Sequence, residues 1–433
     1  MYITRFGPSP SGLMHIGNLR TAFITWLMIR KKKGLLILRI DNTNIIKSNK
    51  KYIRYIKEDL KWIGIKWQKI LEQFYKKKQY YFAINILKIT KKLYPCYENN
   101  KELLYKKIHL LKKKKFIIYN RFSLFFKDKK NKKYWRFLLK NNNIFWKDEC
   151  KDKIIIRSYH LNDPIILKKN GNITYTLASV VDDITYKINY ILRGEDHITS
   201  TSIHIQIFKS LGYIIPEFSH VVLFNLEKKK MSKRINNFSI YKMRKKGFLP
   251  KTLQIYFTKI KKLKLLSINN KFNNMLSYFN IKKNNIKKIY FIKNDLYNLN
   301  NLLLLILKYK IVFFYFKKYN LIINKNFWFI IKKNLKTLKD IKIWWKIFYK
   351  NISNKIIDKN LINITKNEIP IKLKNNSFYY EWIKKIKKKT NKRGKKLFIP
   401  LRFLLTGVNC GPKLSLIIYL IDKYIIFKRL NII

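Results

Sequence analysis

The sequence predicts an α/β protein that opens on a doubly wound parallel sheet and closes in an all-α region. A strand, a helix and a second strand follow one another between residues 2 and 40. From about Lys251 the apolar residues recur at helical spacing with few glycines. The length, 433 residues, is too great for one core and implies roughly two to four domains.

The first strand is residues 2–6 (YITRF), stopped by Gly7 and Pro8. A loop of turn formers, GPSPSGLMHIGN, leads into a helix whose apolar face repeats through Leu19, Ala22, Phe23, Trp26 and Leu27. Lys31 to Lys33 complement the negative end of that helix, and Gly34 stops it. Leu35 to Ile40 is almost wholly apolar, as a parallel strand covered on both faces should be. Such folds bind ligands at the carboxyl ends of their strands, which puts the loop from Gly7 to Asn18 at the site. Its chemistry suits an anion. Ser9 and Ser11 offer hydroxyls, Gly12 and Gly17 let backbone come close, and His15 and Asn18 stand where a helix start presents free amides.

Farther on, Ile53, Ile56, Leu60 and Ile63 mark a helix ended by Gly64. From about Glu72 to Lys153 the chain is lysine-rich and its pattern weak. Asn170-Gly171 is a turn signal, and a helical run from Tyr175 leads to Asp182 and Asp183, whose bare reading is turn chemistry. Ile188 to Leu192 is a strand that runs into RGEDH (Arg193 to His197), with Thr199 and Ser200 as caps for the next helix. An arginine at the carboxyl end of such a strand points a planar fork into the crevice, suited to a carboxylate. His220 to Phe224 reads as another strand, followed by the basic run Glu227 to Arg234. Leu302 to Phe316 reads as a buried helix, because Lys308 and Lys310 leave it short of the roughly 18 apolar residues of a membrane span. Near the end come a Pro-started apolar helix, a Gly turn and another helix.

Composition narrows the class. Apolar residues are 47% and aromatics 15%, enough for several cores. Lys and Arg total 96 against 23 acids, a formal charge of +73 that attracts a polyanion. Lys, Asn, Ile, Tyr and Phe, all with AT-rich codons, abound while Gly numbers 12 and Pro 9. The lysines sit in every segment rather than in one stripe, so most of the excess reads as codon bias. Cys96, Cys150 and Cys410 lie far apart, which argues against a disulfide framework or a four-cysteine zinc site. Patterned residues follow Met1 at once, and the expectation is a soluble, cytoplasmic protein without signal peptide or membrane anchor.

Several segments resemble one family. RFGPSPSGLMHIGNLRTA (Arg5 to Ala22) is similar to the first signature of class I aminoacyl-tRNA synthetases, in the form of the bacterial-type glutamyl-tRNA synthetases. Asn18 stands where the nominal second histidine would be. R-I-D-N-T-N (Arg39 to Asn44) replaces the usual R-I-E-D-T-D, so Asp41 is one methylene short and Asn42 and Asn44 are uncharged. IILKKNGNITYTLASVVDD (Ile165 to Asp183) resembles the segment that ends T-Y-x-x-A-x-V-V-D-D, with Lys168 for Arg and Asn170 for Asp. KMSKR (Lys230 to Arg234) matches the second signature without the glycine that usually precedes it. Arg393 to Leu414 resembles the last conserved block of the glutamyl group.

The resemblance implies a Rossmann-like catalytic domain (1–75 and 165–225) with an α/β acceptor-end-binding insertion (76–164). It further implies the second-signature loop with a helical stem-contact domain (226–305), then an all-α anticodon-binding domain (306–433). The implied reaction is ATP-dependent ligation of glutamate to tRNA(Glu) through a glutamyl-adenylate, in the presence of bound tRNA. The alternatives are a form that also charges tRNA(Gln) with glutamate, or a non-catalytic tRNA-binding derivative. By resemblance His15, Lys230 and Lys233 are catalytic, and His15, Gly17, Asn18, Asp196, Lys230, Ser232 and Lys233 bind ATP. Arg5, Ser9, Asp41, Tyr175 and Arg193 form the glutamate pocket, with Arg5 and Arg193 nearest the side-chain carboxylate and Asp41 toward the ammonium. Magnesium is expected on the ATP phosphates, with no metal site on the protein. Zinc is not expected, because Tyr97 and Glu98 follow Cys96 and no Cys or His pair lies at useful spacing after it. The family points to a monomer.

Overall fold

The computed structural model describes residues 1–43, 48–98, 101–102, 105, 108, 121, 133–226, 239–258, 276, 279–281, 289–317, 320–350, 359–369 and 377–430. They form two compact units, Met1–Lys242 with Leu253–Ile292, and Met243–Thr252 with Lys293–Ile433.

The first unit begins as expected, with β1 (Ile3–Phe6), α1 (Ile16–Lys31), β2 (Leu35–Ile40) and α2 (Lys50–Trp62), and adds a strand the sequence did not suggest, β3 (Lys69–Glu72). There follow α3 (Lys77–Ile89), β4 (Leu93–Cys96), β5 (Tyr134–Phe137), β6 (Asn143–Asp148), β7 (Asp152–Arg157) and β8 (Ile165–Leu167). Then come α4 (Tyr175–Thr185), β9 (Tyr190–Gly194), α5 (Ile198–Ser210), β10 (Glu217–Val221) and β11 (Phe224–Leu226). Strands β1, β2 and β3 are parallel neighbours, with Arg5 opposite Ile37 and Ile40 opposite Glu72. A second sheet runs β7-β6-β10-β9. The two adjoin at β1 and β9, where the Asn189 N–H donates to Ile3 O (3.1 Å) and the Ile3 N–H to Asn189 Oδ1 (2.8 Å). Winding reverses at that seam, the place where folds of this kind bind ligands at the carboxyl ends of their strands. Ile37, Ile144, Trp146, Ile191, Ile205 and Phe218 share one core across both sheets.

The poorly patterned middle divides in two. Strands β4, β5 and β8 make a small antiparallel sheet, cored with α3, α4 and α5 through Tyr80, Leu87, Phe137, Ile166, Leu177 and Phe208. The hairpin β6–β7 instead extends the sheet of β9 and β10, although its residues fall inside the segment that the resemblance assigns to the insertion. Residues alternate exposed and buried along β6, as in a strand with one face to the core.

Several sequence expectations are corrected. The strand expected over His220 to Phe224 is two: β10 ends at Val221, and β11 pairs with β12 (Ile289–Phe291), a strand in a region expected to be helical. The buried Arg20 guanidinium donates to Val222 O at 2.5 Å, which takes that carbonyl for a side chain instead of a ladder. Thr199 and Ser200 do not cap α5; they lie in its first turn, behind His197 at the cap position. The hydroxyls used there are those of Thr201, donating to His197 O, and Ser202, donating to Thr199 O. Asp182 and Asp183 are not in a turn but buried within α4.

The chain passes through α6 (Ile240–Lys246) and α7 (Pro250–Thr258) before the long helical part of the second unit. That part holds α8 (Lys293–Ile306), α9 (Tyr309–Lys317), α10 (Lys325–Ile331), α11 (Ile341–Tyr349), α12 (Lys359–Asn367), α13 (Ser377–Thr390), α14 (Lys395–Thr406), α15 (Leu414–Leu420) and α16 (Lys423–Arg429). Its core gathers Leu304, Val312, Phe316, Trp328, Ile341, Trp382, Leu401 and Ile417. The expected single helix over Leu302 to Phe316 is broken into α8 and α9, bent by 105°. The bend lets Leu304, Val312 and Phe316 reach one core while Ile306, Ile311 and Phe314 stay exposed. Pro400 does not start its helix but lies inside α14, where it forgoes one backbone hydrogen bond. The Gly turn after it is present, with Gly407 left-handed at φ 69°. Among the described residues no single helix is long and apolar enough to cross a membrane.

Candidate active site

Charges on β1, β2 and β9, with others on the helix α4, gather at the carboxyl ends of the strands. Arg5 on β1, Arg39 on β2 and Arg193 on β9 are all buried, as are Asp41, Asp182 and Asp183. Arg39 is the hub. Its Nε and Nη2 grip Asp41 Oδ1 (2.7 Å) and Oδ2 (3.2 Å). Its Nη1 donates to Asp183 Oδ1 (2.9 Å) and its Nη2 to Ser179 Oγ (2.8 Å). Arg5 Nε reaches the same Asp183 oxygen at 3.0 Å. Burial works against the Arg39 charge, but Asp41 and Asp183 outweigh it and hold the guanidinium well above its ordinary range. Asp182 accepts from Gln73 Nε2 (2.8 Å) and the Tyr80 hydroxyl (2.9 Å). Burial pushes it up to about 6, against the pull of Arg39.

Arg193 is different. Its Nη2 lies 3.3 Å from His204 Nδ1, while Nε and Nη1 have no hydrogen-bond partner among the described residues. Burial pulls it down to about 10, and it feels Tyr175, Arg5, Asp183 and Arg39 electrostatically, so it adjoins the network around Arg39. The Phe218 ring covers it at 5.3 Å. A buried fork with two open donors carries a desolvation cost that an incoming anion would relieve. Tyr175 opens α4, with its ring 6.0 Å from that of His204 and 38% of its surface exposed. Arg5, Asp41, Tyr175 and Arg193 thus belong to one connected site. Ser9, on the loop after β1, is exposed.

The loop geometry explains two glycines. A Cβ on Gly7 would lie 2.8 and 3.0 Å from the Asp41 oxygens. One on Gly17 would lie 3.1 Å from His15 Cε1 and Nδ1. His15 is the N-cap of α1: its Nδ1 accepts from the backbone N–H of Gly17 (3.2 Å) and Asn18 (3.4 Å). An accepting Nδ1 places the proton of the neutral ring on Nε2, and burial lowers the His15 pKa, which keeps it neutral. Asn18 is exposed at the helix start. Asp196 is exposed too, 3.9 Å from His197 Nε2, and packs so close to Gly194 that a Cβ there would meet its Oδ1 at 2.5 Å. Lys230, Ser232 and Lys233 lie outside the described residues, as does Asn44.

Sequence reasoning left out Arg39, Ser179, Asp182, Asp183 and His204. A signal for Arg39 was available: a charge inside an apolar parallel strand covered on both faces needs a buried partner. The uncharged Asn42 is well used, since its Nδ2 donates to Glu72 Oε2 (3.3 Å) and its Oδ1 accepts from the Phe74 N–H (2.9 Å). An ionised carboxylate could not donate to Glu72. Cys96 is fully buried with Tyr94 and Tyr134, and Cys150 Sγ lies 3.0 Å from Ser219 Oγ, with burial pushing its thiol up to about 11.

Comparison with known proteins bears on the family and the fold. Residues 2–296 match the family model for tRNA synthetases class I (E and Q), catalytic domain. The glutamate--tRNA ligase 1 of Rickettsia prowazekii (strain Madrid E) is 36% identical over 440 residues, covering 99% of this chain and 98% of that protein. The protein of the same name in Rickettsia felis is 34% identical over 441 residues, with 99% of each chain covered. Among solved structures, a glutamate tRNA ligase from Elizabethkingia meningosepticum in complex with its amino acid superposes with a TM-score of 0.77 at 22% identity, covering 99% of this chain and 98% of the other.

Proposed function

The chain belongs to the class I tRNA synthetases of the E and Q type, and from that premise we infer that it ligates glutamate to tRNA at the expense of ATP. The observation that carries the choice of amino acid is Arg193, a buried guanidinium with two donors open at the end of β9. A side-chain carboxylate fills such a fork, whereas a neutral amide returns less for the same desolvation.

In the reaction the glutamate α-carboxylate attacks the α-phosphorus of ATP, a new P–O bond forms, and pyrophosphate leaves with the electrons of the broken bond. The terminal ribose of tRNA, through its 2′-hydroxyl, then takes the acyl group from the adenylate and AMP departs. The protein's part is to position and to stabilise charge. Arg5 and Arg193 hold the side-chain carboxylate. Asp41 faces the ammonium: Arg39 fills two of a carboxylate's roughly four acceptor sites and leaves the others to the substrate. Ser9 and Tyr175 complete the pocket. His15 spends Nδ1 on its own helix and keeps Nε2–H for a phosphate oxygen. Gly17, Asn18, Asp196 and Ser232 bind ATP, and Lys230 and Lys233 neutralise the phosphates as charge moves to pyrophosphate.

Magnesium enters with ATP, held by the phosphates; among the described residues no three His, Cys, Asp or Glu side chains gather into a metal-holding group. Zinc plays no part in this reading, and Cys96 serves as a packed thiol. The partner is tRNA(Glu), the working form a monomer and the compartment the cytoplasm. The test is charging of purified tRNA(Glu) and tRNA(Gln) with labelled glutamate and ATP, with labelled glutamine as control. Glutamate on tRNA(Glu) alone is the expected product. Glutamate on both tRNAs would replace this reading by a broader specificity, and no product on either would overturn it.

A further inference from the structure

Arg193 is held by a side chain that the reaction above does not use. His204, in α5 and 1% exposed, presents Nδ1 to Arg193 Nη2 at 3.3 Å. A guanidinium can only donate, so Nδ1 accepts and the ring proton sits on Nε2. Burial drives His204 well below its ordinary pKa, and Arg193, Arg5 and Arg39 add to the effect, so the ring is neutral as an acceptor must be. The same ring lies 6.0 Å from that of Tyr175.

The consequence follows from the shape of the fork. A guanidinium grips a carboxylate along one of two edges, Nε with Nη2 or Nη1 with Nη2. Both edges need Nη2, which has two hydrogens, one on each side. His204 takes one of them, closing one edge and leaving the other complete. Nε and Nη1 carry no partner among the described residues, so no other hydrogen bond among them fixes the plane of the group. Without His204 another donor would be stranded in a buried site and both edges would compete for the ligand.

We infer that His204 is the positioning residue of the glutamate pocket, fixing which edge of Arg193 meets the side-chain carboxylate. This rests on Arg193 being the group that reads that carboxylate. The experiment is ATP–pyrophosphate exchange, with tRNA present, for the parent, His204→Leu, His204→Asn and Arg193→Ala. Leu fills the space without an acceptor, while Asn sets Oδ1 close to the place of Nδ1. For His204→Leu the glutamate KM should rise about tenfold or more, with the ATP KM within about twofold of the parent. His204→Asn should recover most of that loss. Equal defects in the Leu and Asn variants would overturn the acceptor role. If Arg193→Ala leaves the glutamate KM unchanged, the reading of Arg193 itself fails. If it raises that KM while His204→Leu does not, only the role of His204 fails. Should the Leu variant not fold, long-range 1H–15N spectra of the parent's histidines decide the matter. The expected result is an Nε2–H tautomer for His204 whose resonances shift on glutamate addition, and an Nδ1–H tautomer overturns the inference.

Discussion

Gly7→Ala probes the Arg39–Asp41 pair without touching either residue. An added Cβ would lie 2.8 and 3.0 Å from the Asp41 oxygens and 3.1 Å from Arg39 Nη2, closer than side-chain carbons tolerate. The backbone is not at issue, because Gly7 is absent from the left-handed region among the described residues. Asp41 must therefore give way, yet Arg39 holds both its oxygens and is itself tied to Asp183 and Ser179. One hydrogen bond between charged groups would be lost or badly stretched, at a cost of about 1.5–3 kcal/mol. If that loss falls on glutamate binding, kcat/KM for glutamate drops by about 10- to 100-fold. The assay is ATP–pyrophosphate exchange at varied glutamate and at varied ATP. The glutamate KM should carry most of the change and the ATP KM should stay within about twofold. A glutamate KM unchanged to within about twofold would refute the claim that Asp41, as fixed by Arg39, helps to hold the amino acid.

Gly17→Ala places its Cβ 3.1 Å from the His15 ring, so it should raise the ATP KM or lower kcat while the glutamate KM holds, as substrate titrations will tell. His15→Asn keeps a good N-cap for α1 but loses the Nε2–H donor, and kcat for adenylate formation should fall about 100-fold with little loss of thermal stability; a matching loss of stability would contradict the division of labour between the two ring nitrogens. Asp182, pushed up to about 6 by burial, has a folded pKa above its ordinary 3.8. Its contribution to stability is thus fully present below about pH 3.8 and is lost as the pH rises through about 6. Asp182→Asn should accordingly be more stable relative to the parent at pH 8 than at pH 5, by about 1 kcal/mol. A pH-independent difference between the two proteins' unfolding midpoints would show that Asp182 is not desolvated in this way.

The parts of the fold legible in the sequence are those set by local rules. The opening strand–helix–strand unit was legible, and Leu19, Phe23 and Leu27 are buried in α1 as their spacing suggests, although α1 ends at Lys31 and the left-handed residue after it is Lys33 (φ 52°) rather than Gly34. The hairpin β6–β7 escaped notice because its alternation, exposed then buried, is carried by Asn, Lys and Asp as well as Ile and Trp, and only pairing with β10 reveals its sheet. At the candidate site, the placing of Arg193 near a strand end and of His15 at a helix start was readable from type and position. The acid pair was not. Whether Asp182 and Asp183 face solvent or a buried arginine depends on Arg39, whose contact with Asp183 spans 144 residues of sequence. His204 was hidden for a similar reason: in a helix of mixed polarity, only the fold tells which histidine faces a guanidinium.

The distance between those partners also has a meaning in time. Arg5 and Asp183 are 178 positions apart, and β1 finds its neighbour β9 only after a similar length of chain. At about 5–20 residues per second, a nascent chain carries Arg5 without its counter-charge for roughly 10–40 s. For that interval the first sheet has an open edge, and the guanidiniums of β1 and β2 have no acid from α4 to enter the interior with. Translation speed through residues 40–180, rather than the amino-terminal strands themselves, therefore sets how long that open edge waits, and slowing the ribosome there should increase the demand for chaperones.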